Sequence, residues 1–164
     1  MNYKQLSEED FLQGYSPDNI FITSDLHLFH TNIIVYCNRP FEYSAMGCSQ
    51  MNEFILKKFD TLPDDCFIWN FGDVYLNIHL EHSKIMNDIM RMKKNRKMCL
   101  ILGNHDFSND KKPFKNYIDF YTYLGFDKVY SDVMDSVISP FPAVASWPRN
   151  HRTSDGSRGD SRHG

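Results

Sequence analysis

Three short apolar runs, each broken off by residues of the kind that ligate metals, constrain this chain more than any other feature. Ile20-Phe21-Ile22-Thr23 leads into Ser24-Asp25-Leu26-His27. Cys66-Phe67-Ile68-Trp69-Asn70-Phe71 leads into Gly72-Asp73, and Met98-Cys99-Leu100-Ile101-Leu102 into Gly103-Asn104-His105-Asp106. Runs of four to six apolar or β-branched residues read as buried strands. In open α/β sheets, ligands bind beyond the carboxyl ends of the strands, so three such ends carrying polar clusters amount to a site. Asp25 and His27 stand two apart, and on an extended backbone both side chains point to the same side. A hard oxygen and a borderline nitrogen converging on one point suit Mn, Fe or Zn. Taken alone, an Asp-x-His pair reads more readily as the cap of a turn, and it is the other two strand ends that reverse this.

Between the strands the pattern changes to helical. Ser7-Glu8-Glu9-Asp10 before Phe11-Leu12 predicts a short N-terminal helix, closed by Gly14. His30 to Tyr36 predicts a helix or turn, and Ser44 to Gly47 a loop. Phe54, Ile55, Phe59 and Leu62 predict a helix over 51–62, and Ile85, Ile89 and Met92 one over 78–94. A third helix is expected over 117–124, closed by Gly125, with further strands at 129–130 and 133–138. Asn70 and Asn77 read as turn or edge residues. The basic end Arg91-Met92-Lys93-Lys94 reads as a solvated helix C-terminus. Strand and helix alternate, which predicts an α/β domain.

Length and composition narrow the class. The 164 residues amount to one domain. A formal charge of −3 argues against a bulk electrostatic grip on nucleic acid. No stretch approaches eighteen uninterrupted apolar residues, and 1–13 lacks the apolar centre of a signal peptide. Cys37, Cys48, Cys66 and Cys99 show no C-x-x-C spacing, and Cys66 and Cys99 sit in apolar runs. A cytoplasmic protein with reduced thiols and no membrane partner is the expectation.

Asp25-x-His27, Gly72-Asp73 and Gly103-Asn104-His105-Asp106 resemble, in order and spacing, successive motifs of the calcineurin-like metallophosphoesterases. The resemblance spans about residues 19–142, and the stretch from Ser24 to Ile34 is similar to the small bacterial and phage members. It implies an α/β/β/α four-layer sandwich and two divalent metal ions (Mn, Fe or Zn) bridged by one carboxylate. Asp73 matches that bridge, Asp25 and His27 match ligands of the first ion, and Asn104 matches a ligand of the second. The activity implied is hydrolysis of phosphomonoesters or phosphodiesters by attack of a metal-bound hydroxide. His105 matches the residue that protonates the leaving oxygen. For Asp106 two roles stay open, orienting His105 or capping the next helix. His30 reads as a phosphate contact or as a surface histidine.

The chain departs from the family pattern towards its end. Where a later strand should deliver a histidine it has Ser139-Pro140-Phe141-Pro142, and proline offers no side-chain donor atom. Arg158-Gly159-Asp160-Ser161-Arg162-His163 resembles the closing Gly-His-x-His motif only partly, leaving Asp160 and His163 as its candidate ligands. The expectation is a domain over 1–148, incomplete at its C-terminus, followed by a polar and disordered tail over 149–164. The substrate is then a phosphate ester, with a nucleotide or nucleic acid one candidate. Two competing functions stay open. One is a non-catalytic copy that binds a metal or phosphate as an interaction module. The other is a nucleic-acid binder resting on Lys93-Lys94-Asn95-Arg96-Lys97.

Overall fold

The structure is a computed structural model that describes residues 8–75, 82–107, 117–130 and 143–145. Helix α1 (Glu8–Leu12) and a 3-10 turn (Pro17–Asn19) lead into β1 (Ile20–Thr23). Then come α2 (Ile33–Tyr36), α3 (Ala45–Asp60), β2 (Phe67–Phe71), α4 (His82–Lys93) and β3 (Lys97–Ile101). A second 3-10 turn (Asn104–Phe107), α5 (Tyr117–Leu124), β4 (Lys128–Tyr130) and β5 (Ala143–Ala145) complete the order. The strands form one sheet in the order β4-β3-β2-β1-β5, and every pairing is parallel. Register is set by Ile20 opposite Phe67 and by Phe67 opposite Lys97, so β2 and β3 end level and β1 one residue short of them. Their carboxyl ends therefore open on one edge, where the three polar clusters lie.

A parallel sheet is covered on both faces, which is why its strands read as continuous apolar runs. Ile68, Met98 and Leu100 point to one face, under Ile55 and Phe59 of α3, Ile85, Ile89 and Met92 of α4, and Phe120 and Leu124 of α5. Phe67, Trp69, Cys99 and Ile101 point to the other, packed with Ile20 and Phe11. Trp69 is fully buried, stacks on Phe11 with centroids 5.4 Å apart, and donates its indole N–H to the Phe11 carbonyl at 3.0 Å. A buried indole needs such an acceptor, so this ring and this hydrogen bond help to hold α1 against the sheet. Burial pushes the Cys99 thiol up to about 12, which keeps it protonated and inert.

The α/β class with helices flanking a parallel sheet is the one the sequence predicts. Among the described residues there is one sheet, so a second sheet of a four-layer sandwich is not seen there. Several elements differ from expectation. Helix α3 begins at Ala45, not near 51: Ser44 is its N-cap, accepting the Gly47 amide at 3.0 Å. Strand β5 was not expected. Asn70 is neither turn nor edge; it lies in the central strand, 1% exposed, opposite Thr23, and neither atom of its amide has a hydrogen-bond partner. The strands expected over 133–138, Asn77, Pro140 and the tail from 149 lie outside the described residues. No helix among the described residues is long and apolar enough to cross a membrane.

The basic run at the end of α4 is partly solvated and ion-paired. Lys93 pairs with Asp127 at 2.8 Å, Lys97 with the same carboxylate at 3.6 Å, and Lys94 with Asp60 at 3.8 Å. Arg96 is buried among main-chain carbonyls.

Candidate metal centre

Asp25, His27 and Asp73 meet at the carboxyl edge of the sheet. One ligand atom from each lies within 4.8 Å of the others, and His27 Nε2 stands 3.9 Å from both Asp25 Oδ1 and Asp73 Oδ2. They converge for a reason other than an extended backbone. Strand β1 stops at Thr23, and Asp25, His27 and Asp73 all adopt left-handed φ, +54°, +50° and +52°. Non-glycine residues in that region are uncommon, and strain of this sort clusters at functional sites. Pairing between the two loops maintains it. The amides of Asp25, His27 and Leu28 donate to the carbonyls of Gly72, Asp73 and Val74 at 3.2, 2.9 and 2.9 Å.

Two residues from further along the chain fix the first loop. The Arg39 guanidinium, 4% exposed, donates to the Asp25 carbonyl at 2.8 Å and to the Leu26 carbonyl at 2.9 Å. Asn52 of α3 accepts the Phe29 amide at 3.1 Å, where φ is again left-handed at +61°. The planar fork of Arg39 grips both carbonyls at once, which a lysine ammonium on a flexible stem does poorly. Arg39→Lys is therefore expected to keep the fold but weaken Mn²⁺ binding about 10- to 100-fold, the usual cost of disturbing a group that orients ligands. Titration calorimetry beside circular dichroism reads both, and unchanged affinity rejects the role.

The second and third loops touch back to back. A Cβ on Gly72 would strike the Gly103 backbone, and one on Gly103 would strike the Asp73 carboxylate and lie 2.8 Å from the Asp73 nitrogen. Only glycine allows that approach. Asp106 ties the two loops together. Its carboxylate accepts the amides of Asp73 and Gly103 at 2.8 and 2.7 Å and the Tyr121 hydroxyl at 2.8 Å. It is fully buried, and burial pushes its carboxyl up more than these three donors pull it down. Among the described residues it meets the backbone of both loops and the Tyr121 hydroxyl of α5, rather than the His105 ring.

His105 stands at the exposed side. Its amide donates to Asp73 Oδ1 at 2.9 Å, and its ring lies edge-on to His27 with centroids 5.4 Å apart. His27 is buried, and burial, with His30 and Arg39 beside it, pulls its imidazole down to about 4 against the pull of Asp73 and Asp25. It is neutral at neutral pH, with Nε2 facing the carboxylates and Nδ1 facing His30 Nδ1 at 3.4 Å. His30 is accordingly no surface histidine; it is 8% exposed and braces the ligand ring. Asn104 opens the 3-10 turn after β3; its side chain, together with Asp160 and His163, lies outside the described residues. Two carboxylates and a neutral imidazole within one coordination radius suit a divalent Mn, Fe or Zn ion.

Sequence reasoning missed Arg39 and the bracing role of His30. Arg39 leaves no pattern because it binds main-chain carbonyls thirteen and fourteen residues back.

The chain shares 31% identity over 97 residues with an uncharacterized protein, MJ1445, of Methanocaldococcus jannaschii, covering 58% of this chain and 51% of that protein. The crystal structure of a protein of unknown function, AQ665, from Aquifex aeolicus aligns at 22% identity and a TM-score of 0.44, covering 68% of this chain and 50% of the other. The chain thus spans about half the length of these relatives. The family model described as calcineurin-like phosphoesterase matches residues 19–153, which takes in all three loops. On that match, and with the three loops brought to one edge, the chain belongs to the calcineurin-like phosphoesterase family.

Proposed function

We propose that this chain is a metal-dependent hydrolase of phosphomonoesters or phosphodiesters. The observation that carries the reading is the meeting of Asp25, His27 and Asp73 at the sheet edge with His105 beside them. Asp25, His27 and Asp73 would hold the first divalent ion, and Asp73 with Asn104 the second, with Asp160 and His163 as further candidates. Bound there, such ions supply Lewis acidity towards phosphoryl oxygens and a water acidic enough to give a nucleophile near pH 7.

The chain's own residues do the rest. His27 offers a neutral nitrogen without first losing a proton. His105, exposed and anchored through its amide to Asp73, would give a proton to the departing oxygen, a contribution of roughly 10²–10⁴ in rate. Asp106 and Arg39 would hold the loops, and His30 would brace the His27 ring. The proposed partner is a phosphate ester, a nucleotide or nucleic acid among the candidates, and the proposed location is the cytoplasm.

The test is hydrolysis of bis(p-nitrophenyl) phosphate and p-nitrophenyl phosphate across Mn²⁺, Zn²⁺ and Fe²⁺, with metal content measured on the same folded preparation. Turnover that a chelator removes and added metal restores is expected. A second reading has one observation in its favour. The cluster among the described residues supplies three donors, enough for a single ion. One ion per chain and no turnover would make this a metal- or phosphate-binding module instead.

A further inference from the structure

Helix α5 reaches the metal centre through one hydroxyl group. Tyr121 lies in its second turn, 1% exposed, with its ring edge-on to Phe120 at 5.2 Å and to Phe126 at 6.2 Å. Ring packing alone would suit a phenylalanine. The hydroxyl instead donates to Asp106 Oδ1 at 2.8 Å, fifteen residues back along the chain. Helix α5 is a firm anchor for that contact, since Phe120 and Leu124 are seated in the core against the sheet.

The two oxygens of Asp106 have separate tasks. Oδ2 accepts the amides of Asp73 and Gly103 at 2.8 and 2.7 Å, so a single atom fixes the spacing of the second and third loops. Oδ1 faces α5 and, among the described residues, takes its hydrogen bond from Tyr121. Asp106 is 0% exposed, so bulk water has no access to replace the hydroxyl. Without that donor, Oδ1 becomes an unpaired acceptor in a dry site, which is costly, or the carboxylate turns to share its two amides between both oxygens. Turning changes the spacing of the loops. The Gly103 backbone abuts the Asp73 carboxylate, and Asp73 Oδ1 accepts the His105 amide at 2.9 Å. A change in spacing therefore moves the Asp73 oxygens and His105 together. We propose that Tyr121 is a positioning residue of the metal centre, its hydroxyl acting through Asp106 to set where the Asp73 carboxylate stands. The inference rests on the metal-centre reading and needs no turnover.

The test is Tyr121→Phe in the full chain, which removes the hydroxyl and keeps the ring contacts. In metal-free protein, hydrogen exchange followed by NMR should quicken at the Asp73 and Gly103 amides about tenfold or more relative to Trp69 and Leu100 in the middle of the sheet. A role confined to packing would quicken all four alike. The Mn²⁺ dissociation constant, from calorimetry, should rise about 10- to 100-fold, as when other groups that orient ligands are disturbed. Adding Tyr121→Phe to Asp106→Asn should then change Mn²⁺ binding little further, because both substitutions break one link. If Asp106→Asn does not fold, the amide pattern and the Mn²⁺ constant of Tyr121→Phe decide by themselves. Unchanged relative exchange rates, an unchanged Mn²⁺ constant, or effects that add in the double variant overturn the proposal. Failure of the native chain to bind Mn²⁺ overturns the metal centre and the proposal with it. The expected changes without hydrolysis of the aryl phosphates would count against the hydrolase alone. Hydrolysis with none of these changes would count against Tyr121 alone.

Discussion

Asp73→Asn should abolish metal-dependent turnover while leaving the fold in place. The wild-type carboxylate uses its two oxygens differently. Oδ1 accepts the His105 amide at 2.9 Å, and Oδ2 faces His27 Nε2 at 3.9 Å across the ion position. An asparagine can keep the first contact only by turning its oxygen to the His105 N–H. Its NH₂ group then points at the cations, a donor where an anion is needed. The opposite flip would set donor against donor at His105. Both orientations lose a charge that two ions would share. The expected loss is at least about 10²–10³ in kcat, with fewer ions bound per chain and an unchanged unfolding midpoint in metal-free buffer. Activity within tenfold of wild type would remove Asp73 from the chemistry. A collapse of the metal-free midpoint would mean that its hydrogen bond to His105 matters more than its charge.

The variant also shows which parts of the site could be read from residues alone. The three strands were legible because a parallel sheet buries both faces and so writes itself as unbroken apolar runs, as in Phe67 to Phe71. The loop identities were legible because metal ligands come from a short menu of side chains. How the ligands converge was not. Asp25 and His27 reach one point through left-handed backbone, held by amides that pair with carbonyls near residue 73, and no side-chain spacing encodes that. Asp106 escaped for the same reason: both amides it accepts belong to main chain, one of them from the neighbouring loop. Helix α3 starts earlier than the pattern suggests because the first-turn members of its buried stripe, Gly47 and Cys48, are small, and its cap lacks the reciprocal Glu or Gln of a capping box.

Arg96 carries the largest expected effect on stability. Read as one charge in a basic run, it would be dispensable; in the fold its side chain is fully buried. Its guanidinium donates to the carbonyls of Phe59 at 2.9 Å, Met92 at 3.0 Å and Pro63 at 2.7 Å, and to that of Leu62. Phe59 lies in the last turn of α3, where its carbonyl also accepts the Leu62 amide at 3.2 Å, and Met92 lies in the last turn of α4; at such ends helix carbonyls lack an i+4 donor and the dipole is negative. One cation thus closes both helices and fastens their ends together. Arg96→Ala removes the guanidinium donor from all four carbonyls, leaving Phe59 only its backbone partner, and opens a cavity. Loss of a buried hydrogen-bonded charge of this kind costs about 3–5 kcal/mol, seen as a large drop in the urea midpoint. Arg96→Lys should lose less, since an ammonium still donates three hydrogen bonds but cannot span four acceptors in a fixed plane. The order native, Lys, Ala is the expected result. A loss below about 1 kcal/mol for alanine would mean that water replaces the guanidinium at the helix ends, and Arg96 would then be no more than a filler of space between α3 and α4.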